Sequence, residues 1–140
     1  LLSLKIKKDF VFLGAIGFLV AFGFYFFSDF FLNILFKNKY LLAIPILKII
    51  IFNLPLILLT SIFFNYFYTI GRANIIVILM IFQIFFNFIL NIIFIPKYSY
   101  YASAYISLAA EMVNLVFSVV LYKIYKTYKS NKIKVYENLS

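Results

Sequence analysis

Four runs of apolar side chains, each long enough to cross a bilayer, constrain this chain more than any other feature. They lie at residues 10–27, within 41–70, at 74–95 and at 100–121. A hydrocarbon core of ~30 Å needs about 20 mostly apolar residues per helix. Alternating polar and apolar positions of the barrel kind are absent, so helices are the only way for this sequence to span. Composition closes the alternatives. The chain has 140 residues, 66% hydrophobic and 12% charged, where a soluble domain is about half apolar and about a quarter charged. A domain of this size buries only about two-thirds of its unfolded surface, so a water-soluble globule is excluded. An apolar, aromatic chain is not a disordered one either.

The breaks between runs are short: Lys37-Asn38-Lys39, Gly71-Arg72 and Pro96-Lys97-Tyr98. Short breaks make antiparallel neighbours. The expected fold is therefore all-α, a polytopic membrane bundle of four transmembrane helices with short loops. Residues 1–9 form a basic lead-in, 10–126 a four-span membrane domain and 127–140 a basic tail. Four crossings put Lys5, Lys7, Lys8, Arg72, Lys123, Lys126, Lys129, Lys132 and Lys134 on one side, against Lys37, Lys39, Lys48 and Lys97 on the other. Lys and Arg favour the cytoplasmic face, so both termini are expected there. Five crossings, through a split second run, would place the basic tail outside. Asn138-Leu139-Ser140 matches a glycosylation sequon that a cytoplasmic tail cannot use. The chain opens on Leu1 within a basic stretch, which suggests that it begins mid-protein.

Two stretches do not read as plain spans. Ser28-Asp29 interrupts the first run after enough residues to cross, and suits an N-cap; a short interfacial helix over 30–36 would follow. The second run, as one helix, would be about 45 Å long and carries Pro45 and Pro55, which bend or break helices. An outer amphipathic portion over 41–52, a bend at Asn53-Leu54-Pro55 and a crossing portion to Ile70 are expected. Such a break is either a binding site at an unwound helix or a kink satisfied by its neighbours.

Polar residues inside the runs are the most informative, because a polar group in hydrocarbon must be paired or wetted. In the fourth run Ser103, Ser107, Glu111, Asn114 and Ser118 share one helical face. In the third, Gln83, Asn87 and Asn91 do the same, and the second offers Ser61, Asn65 and Tyr68. Counted inward from the Pro96–Tyr98 turn, Gln83 lies roughly 18 Å deep and Glu111 roughly 17 Å deep. Glu111 is therefore expected within hydrogen-bond or one-water reach of Gln83 or Asn87. These side chains are either the wall of a polar cavity, with Glu111 a proton or cation site, or interhelical glue at about 0.6 kcal/mol per bond. Gly14, Gly17 and Ala21 form a small-residue stripe that suits close helix packing. Tyr98, Tyr100, Tyr101 and Tyr105 fit an aromatic belt, and Lys123 to Lys134, interleaved with Tyr122, Tyr125 and Tyr128, suit a headgroup layer. Lys48 could contact an anionic group or snorkel to the interface.

No catalytic constellation emerges. The chain has no Cys, no His and only four acids, Asp9, Asp29, Glu111 and Glu137. No metal set, cofactor loop or nucleophile with a base is present in the sequence, and the basic residues sit at the ends of apolar runs, as a membrane rather than a nucleic acid requires. The expectation is a protein that is not an enzyme and has no cofactor.

The order of features resembles a known family. Phe36-Lys37-Asn38-Lys39-Tyr40 followed by Ile44-Pro45-Ile46-Leu47-Lys48-Ile49 resembles polysaccharide (O-antigen) flippases of the Wzx type. Tyr68-Thr69-Ile70-Gly71-Arg72 looks like their short Gly-Arg turn. Asn87-Phe88-Ile89-Leu90-Asn91 running to Ile95-Pro96-Lys97-Tyr98 looks like their paired-Asn helix. The stretch from Ala102 to Glu111 is similar to the small-residue opening of the next helix, with its mid-helix Glu. The resemblance covers about residues 10–126 and points to the C-terminal part of a transporter in the multidrug/oligosaccharidyl-lipid/polysaccharide exporter superfamily. Two places depart: Ser99 and Ala102 stand where the family usually has Gly, which implies a stiffer turn.

The resemblance implies flipping of a lipid-linked oligosaccharide across a bacterial inner membrane by two lobes alternating around a hydrophilic cavity. The missing N-terminal part of the transporter and the lipid bilayer would be the partners. Gln83, Asn87, Asn91, Glu111 and Asn114 are then cavity candidates, and Lys48 and Arg72 candidates for anionic groups. Two rivals are a drug or cation antiporter of the same superfamily, in which Glu111 titrates, and a small membrane scaffold that transports nothing.

Overall fold

The structure, a computed structural model, describes residues 2–36 and 43–137, with side chains for 4–30, 34 and 44–128. Among these residues the protein is entirely helical: α1 (Leu2–Phe36), α2 (Ala43–Ile50), α3 (Asn53–Thr69) and α4 (Ala73–Glu137). Three helical stretches are long and apolar enough to cross a membrane, Leu4–Phe30, Ile44–Thr69 and Ala73–Tyr128. The break at Lys37-Asn38-Lys39, the start of the second run at 41–42 and the sequon at Asn138 lie outside the described residues.

The surface confirms which solvent these helices meet. Val11, Phe12, Leu19 and Phe26 are each more than 60% exposed, on a chain whose longest apolar helix is almost bare of protein cover. A contiguous apolar face of this extent is unstable in water, but matched to acyl chains.

α1 corrects one expectation. The helix runs unbroken through Ser28-Asp29, with no cap and no separate helix over 30–36. Ser28 Oγ donates to the Tyr25 carbonyl at 2.9 Å, so the hydroxyl is satisfied on its own helix. Asp29 accepts instead from Lys48 Nζ at 2.9 Å.

The break near Pro55 comes just before the expected Asn53-Leu54-Pro55, which form the first turn of α3 instead. α2 ends at Ile50, Ile51 and Phe52 form a turn, and α3 begins at Asn53. Pro55 has no N–H for the Ile51 carbonyl. Leu54 N takes that acceptor at 3.1 Å and Phe52 N takes the Ile49 carbonyl at 3.2 Å, tightening the chain locally.

α3 lies between α1 and α4. Gly14, Gly17 and Ala21 do pack closely. A Cβ on Gly17 would sit 2.7 Å from Pro55 Cα, and one on Gly14 3.3 Å from Leu59 Cδ2. The core gathers Ile6, Leu59, Ile62, Phe63, Tyr66 and Phe67. Rings extend it to α4: Phe63 meets Tyr122 at 5.6 Å, and Tyr66 meets Tyr122 edge-on at 4.9 Å.

α3 ends in a Schellman motif. Gly71 has φ +71°, Arg72 N bonds the Phe67 carbonyl at 2.8 Å and Gly71 N bonds Tyr68 O at 3.0 Å. Only glycine adopts this backbone without cost.

α4 differs from the expected pair of separated helices. It is helical through Pro96 and leaves helical geometry at Ser99 alone, with φ 60° and ψ −162°. There the helix folds back on itself. Phe82 and Phe117 stack edge to face at 5.3 Å, although 35 helical residues laid straight would separate them by about 52 Å. The corner is therefore made by one residue and one proline, without a loop.

Candidate functional site, a polar seam inside the helices

The fold-back of α4 brings the polar face of its second arm (residues 100–137) against its first arm (residues 73–98) and α3. Gln83 Nε2 donates to Glu111 Oε2, and Asn114 Nδ2 donates to Gln83 Oε1 at 2.8 Å. The expected Glu111–Gln83 contact is thus present. Glu111 is 8% exposed and Asn114 4%. Thr60 of α3 is also buried, at 3% exposure. One helical turn or so away, Asn53 Nδ2 donates to Ser107 Oγ at 3.1 Å.

The seam holds buried polar atoms that the protein does not pair. Asn53 Oδ1, Thr60 Oγ1, Asn114 Oδ1 and Ser118 Oγ are buried and make no hydrogen bond within the protein. A buried polar atom left in this condition costs about 1–3 kcal/mol. Two of these atoms are amide carbonyls that only accept and two are hydroxyls that can also donate, a set that buried water can pair.

The other amides form a second group. Asn91 Nδ2 donates to the Asn87 carbonyl at 2.8 Å and to Asn87 Oδ1 at 2.6 Å. Gln83, Asn87 and Asn91 line an open groove of about 440 Å³ on the first arm, with Ile84 and Phe88 beside them. Gln83 belongs to both groups. It faces Glu111 on one side and the groove on the other.

The two basic candidates differ. Lys48 Nζ is held by Asp29 and lies 5.5 Å from the Tyr25 ring centre, so it is already engaged. Arg72 is exposed beside the Gly71 turn and makes no ion pair among the described residues.

The second run's polar stripe reads differently in the structure. Ser61 Oγ donates to its own helix at the Leu58 carbonyl, 2.7 Å away. Asn65 is exposed, and Tyr68 is 74% exposed. The buried polar residues of α3 are Asn53 and Thr60. The signal for them was present in the spacing of seven from Asn53 to Thr60 to Phe67, which marks one face over two turns.

These features define a helical membrane protein with a polar interior. No family model matches the chain, and no solved structure is similar to it. Over 118 residues it is 31% identical to an uncharacterized membrane protein of Methanocaldococcus jannaschii, an alignment covering 84% of this chain and 23% of that protein. The chain thus spans about a quarter of the length of the relative it matches.

Proposed function

We propose that this chain is the C-terminal part of a flippase for a lipid-linked oligosaccharide or polysaccharide precursor, resembling the Wzx type. In this reading the two arms of α4 are separate crossings, so the chain crosses four times, with both termini in the cytoplasm and the protein in the inner membrane. The observation that carries the reading is the double role of Gln83. It is fixed by Glu111 and Asn114 on one side and opens with Asn87 and Asn91 into a groove on the other. A sugar cannot enter hydrocarbon unless protein donors and acceptors replace its water. Amide groups at membrane depth supply both.

Cells in which Asn87→Leu and Asn91→Leu are combined should keep lipid-linked oligosaccharide on the cytoplasmic leaflet and lose surface polysaccharide, while the protein still inserts. Normal export by that variant would remove the groove from the function. Glu111, the acid of the interior, supports a second reading as a drug or cation antiporter. Glu111→Gln would then abolish efflux of a cationic dye while leaving insertion intact.

A further inference from the structure

On the transport reading above, on which this inference rests, we propose that the groove beside Gln83, Asn87 and Asn91 admits neutral sugars and turns away acidic ones such as uronic acids. The groove measures about 440 Å³, within the range of small-molecule sites. Its wall selects by hydrogen-bond character and by charge.

Asn91 Nδ2 donates both to the Asn87 carbonyl and to Asn87 Oδ1. The Asn87 amide is therefore held with its oxygen toward Asn91, and its own N–H groups are left over. Asn91 Oδ1 is left over too, buried and without a partner. A donor and an acceptor one turn apart match hydroxyl groups, which both donate and accept. A carboxylate only accepts. It would take the Asn87 N–H and set its lone pairs against those of Asn91 Oδ1. Ile84 and Phe88, 66% and 60% exposed, flank the amides and suit the apolar C–H face of a pyranose ring.

Charge points the same way. The lining contains no Lys or Arg. On the same arm Arg72 comes eleven residues before Gln83, about 16 Å along the axis. Lys97 comes six residues after Asn91, about 9 Å nearer the membrane surface and roughly 240° around the helix. On the second arm Lys123 comes twelve residues after Glu111, about 18 Å away. α3 has neither Lys nor Arg, and Lys48 is held by Asp29. The ionisable group that does meet the lining is Glu111, bonded to the amide of Gln83, and it is an acid. It offers an anion no counter-charge, and an uncompensated anion at membrane depth is strongly disfavoured. A neutral sugar needs no counter-charge.

The test is photolabelling of the full chain in phosphatidylcholine vesicles by octyl glucoside and octyl glucuronide, each carrying the same diazirine beside the anomeric carbon. Labels on residues 83–91 are read by mass spectrometry relative to labels on Phe12 and Leu19, which are 63% and 75% exposed on α1. That ratio corrects for unequal partition of the two probes into the bilayer. The glucoside should label the groove at least about tenfold more than the glucuronide, the smallest effect expected of an uncompensated charge. Asn91→Lys, which supplies the missing cation, should raise glucuronide labelling severalfold. Equal labelling by the two probes, or more by the glucuronide, would overturn the selectivity and leave the transport reading standing. A variant Asn91→Lys that inserts, judged by its labels on α1, yet takes up no more glucuronide would overturn it as well. The comparison of the two probes on the parent chain decides the matter whether or not the variant inserts. If neither probe labelled the groove above Phe12 and Leu19, the transport reading would fall and the selectivity with it.

Discussion

Gln83 and Glu111, 28 residues apart in one helix by its hydrogen-bond pattern, are joined side chain to side chain. The bond ties the arms of α4 together at membrane depth and continues to Asn114.

Removing one end of this pair should cost more than exchanging it. Glu111→Leu leaves the half-buried Gln83 Nε2 without its acceptor and should destabilise the protein by about 1 kcal/mol. Glu111→Gln keeps an acceptor of the same shape and should cost much less. A double-mutant cycle between Gln83→Leu and Asn114→Leu should give a coupling of about 0.6 kcal/mol, the usual size between membrane helices. Reversible unfolding in mixed detergent measures all of these, and a coupling of zero would mean that the amides do not act together.

Gly17 and Gly23 lie on the same helix and should respond oppositely to alanine. At Gly17 the new methyl meets Pro55 backbone at 2.7 Å, and overpacking of this kind costs about 1–3 kcal/mol. At Gly23 nothing lies within 4 Å, so Gly23→Ala should be neutral or gain up to about 1 kcal/mol from helix propensity. Thermal unfolding of the two variants side by side checks this.

Ser99 occupies a region of backbone space that is almost exclusive to glycine. Ser99→Gly should raise stability by roughly 1 kcal/mol or more, by releasing strain of about 1–3 kcal/mol less glycine's entropy cost. Ser99→Val should lower it. A melting temperature for Ser99→Gly below that of the parent would show that the serine is not strained.

The Lys48–Asp29 pair is half open to solvent, with side chains 27% and 55% exposed. Asp29→Asn should therefore change stability by less than about 1 kcal/mol, and the difference should shrink as salt is added. An effect of several kcal/mol that salt does not touch would assign the pair a buried role.

Much of the helical layout was legible in the sequence, because proline and glycine act on the backbone directly. Pro55 announced the bend and Gly71 the turn, and equal depth from Pro96 matched Gln83 with Glu111. What escaped the sequence depends on how a side chain satisfies itself. Ser28 reads as a cap, but its hydroxyl turns back onto Tyr25 and the helix continues. Ser61, Asn65 and Tyr68 share a face, but the face that packing selects on α3 is set by Phe63, Tyr66 and Phe67 against Tyr122. Asn53 and Thr60 were carried inward with those rings.

The corner at Ser99 also bears on how the chain is made. When synthesis has reached only the end of the first arm, Gln83 has neither of its partners, which arrive with Glu111 and Asn114. A lone helix carrying an unpaired Gln83 at this depth partitions poorly into lipid. The arms should thus leave the translocon as a joined hairpin, and a nascent chain stopped after residue 99 should stay crosslinkable to the insertion channel, whereas one that includes Asn114 should be released.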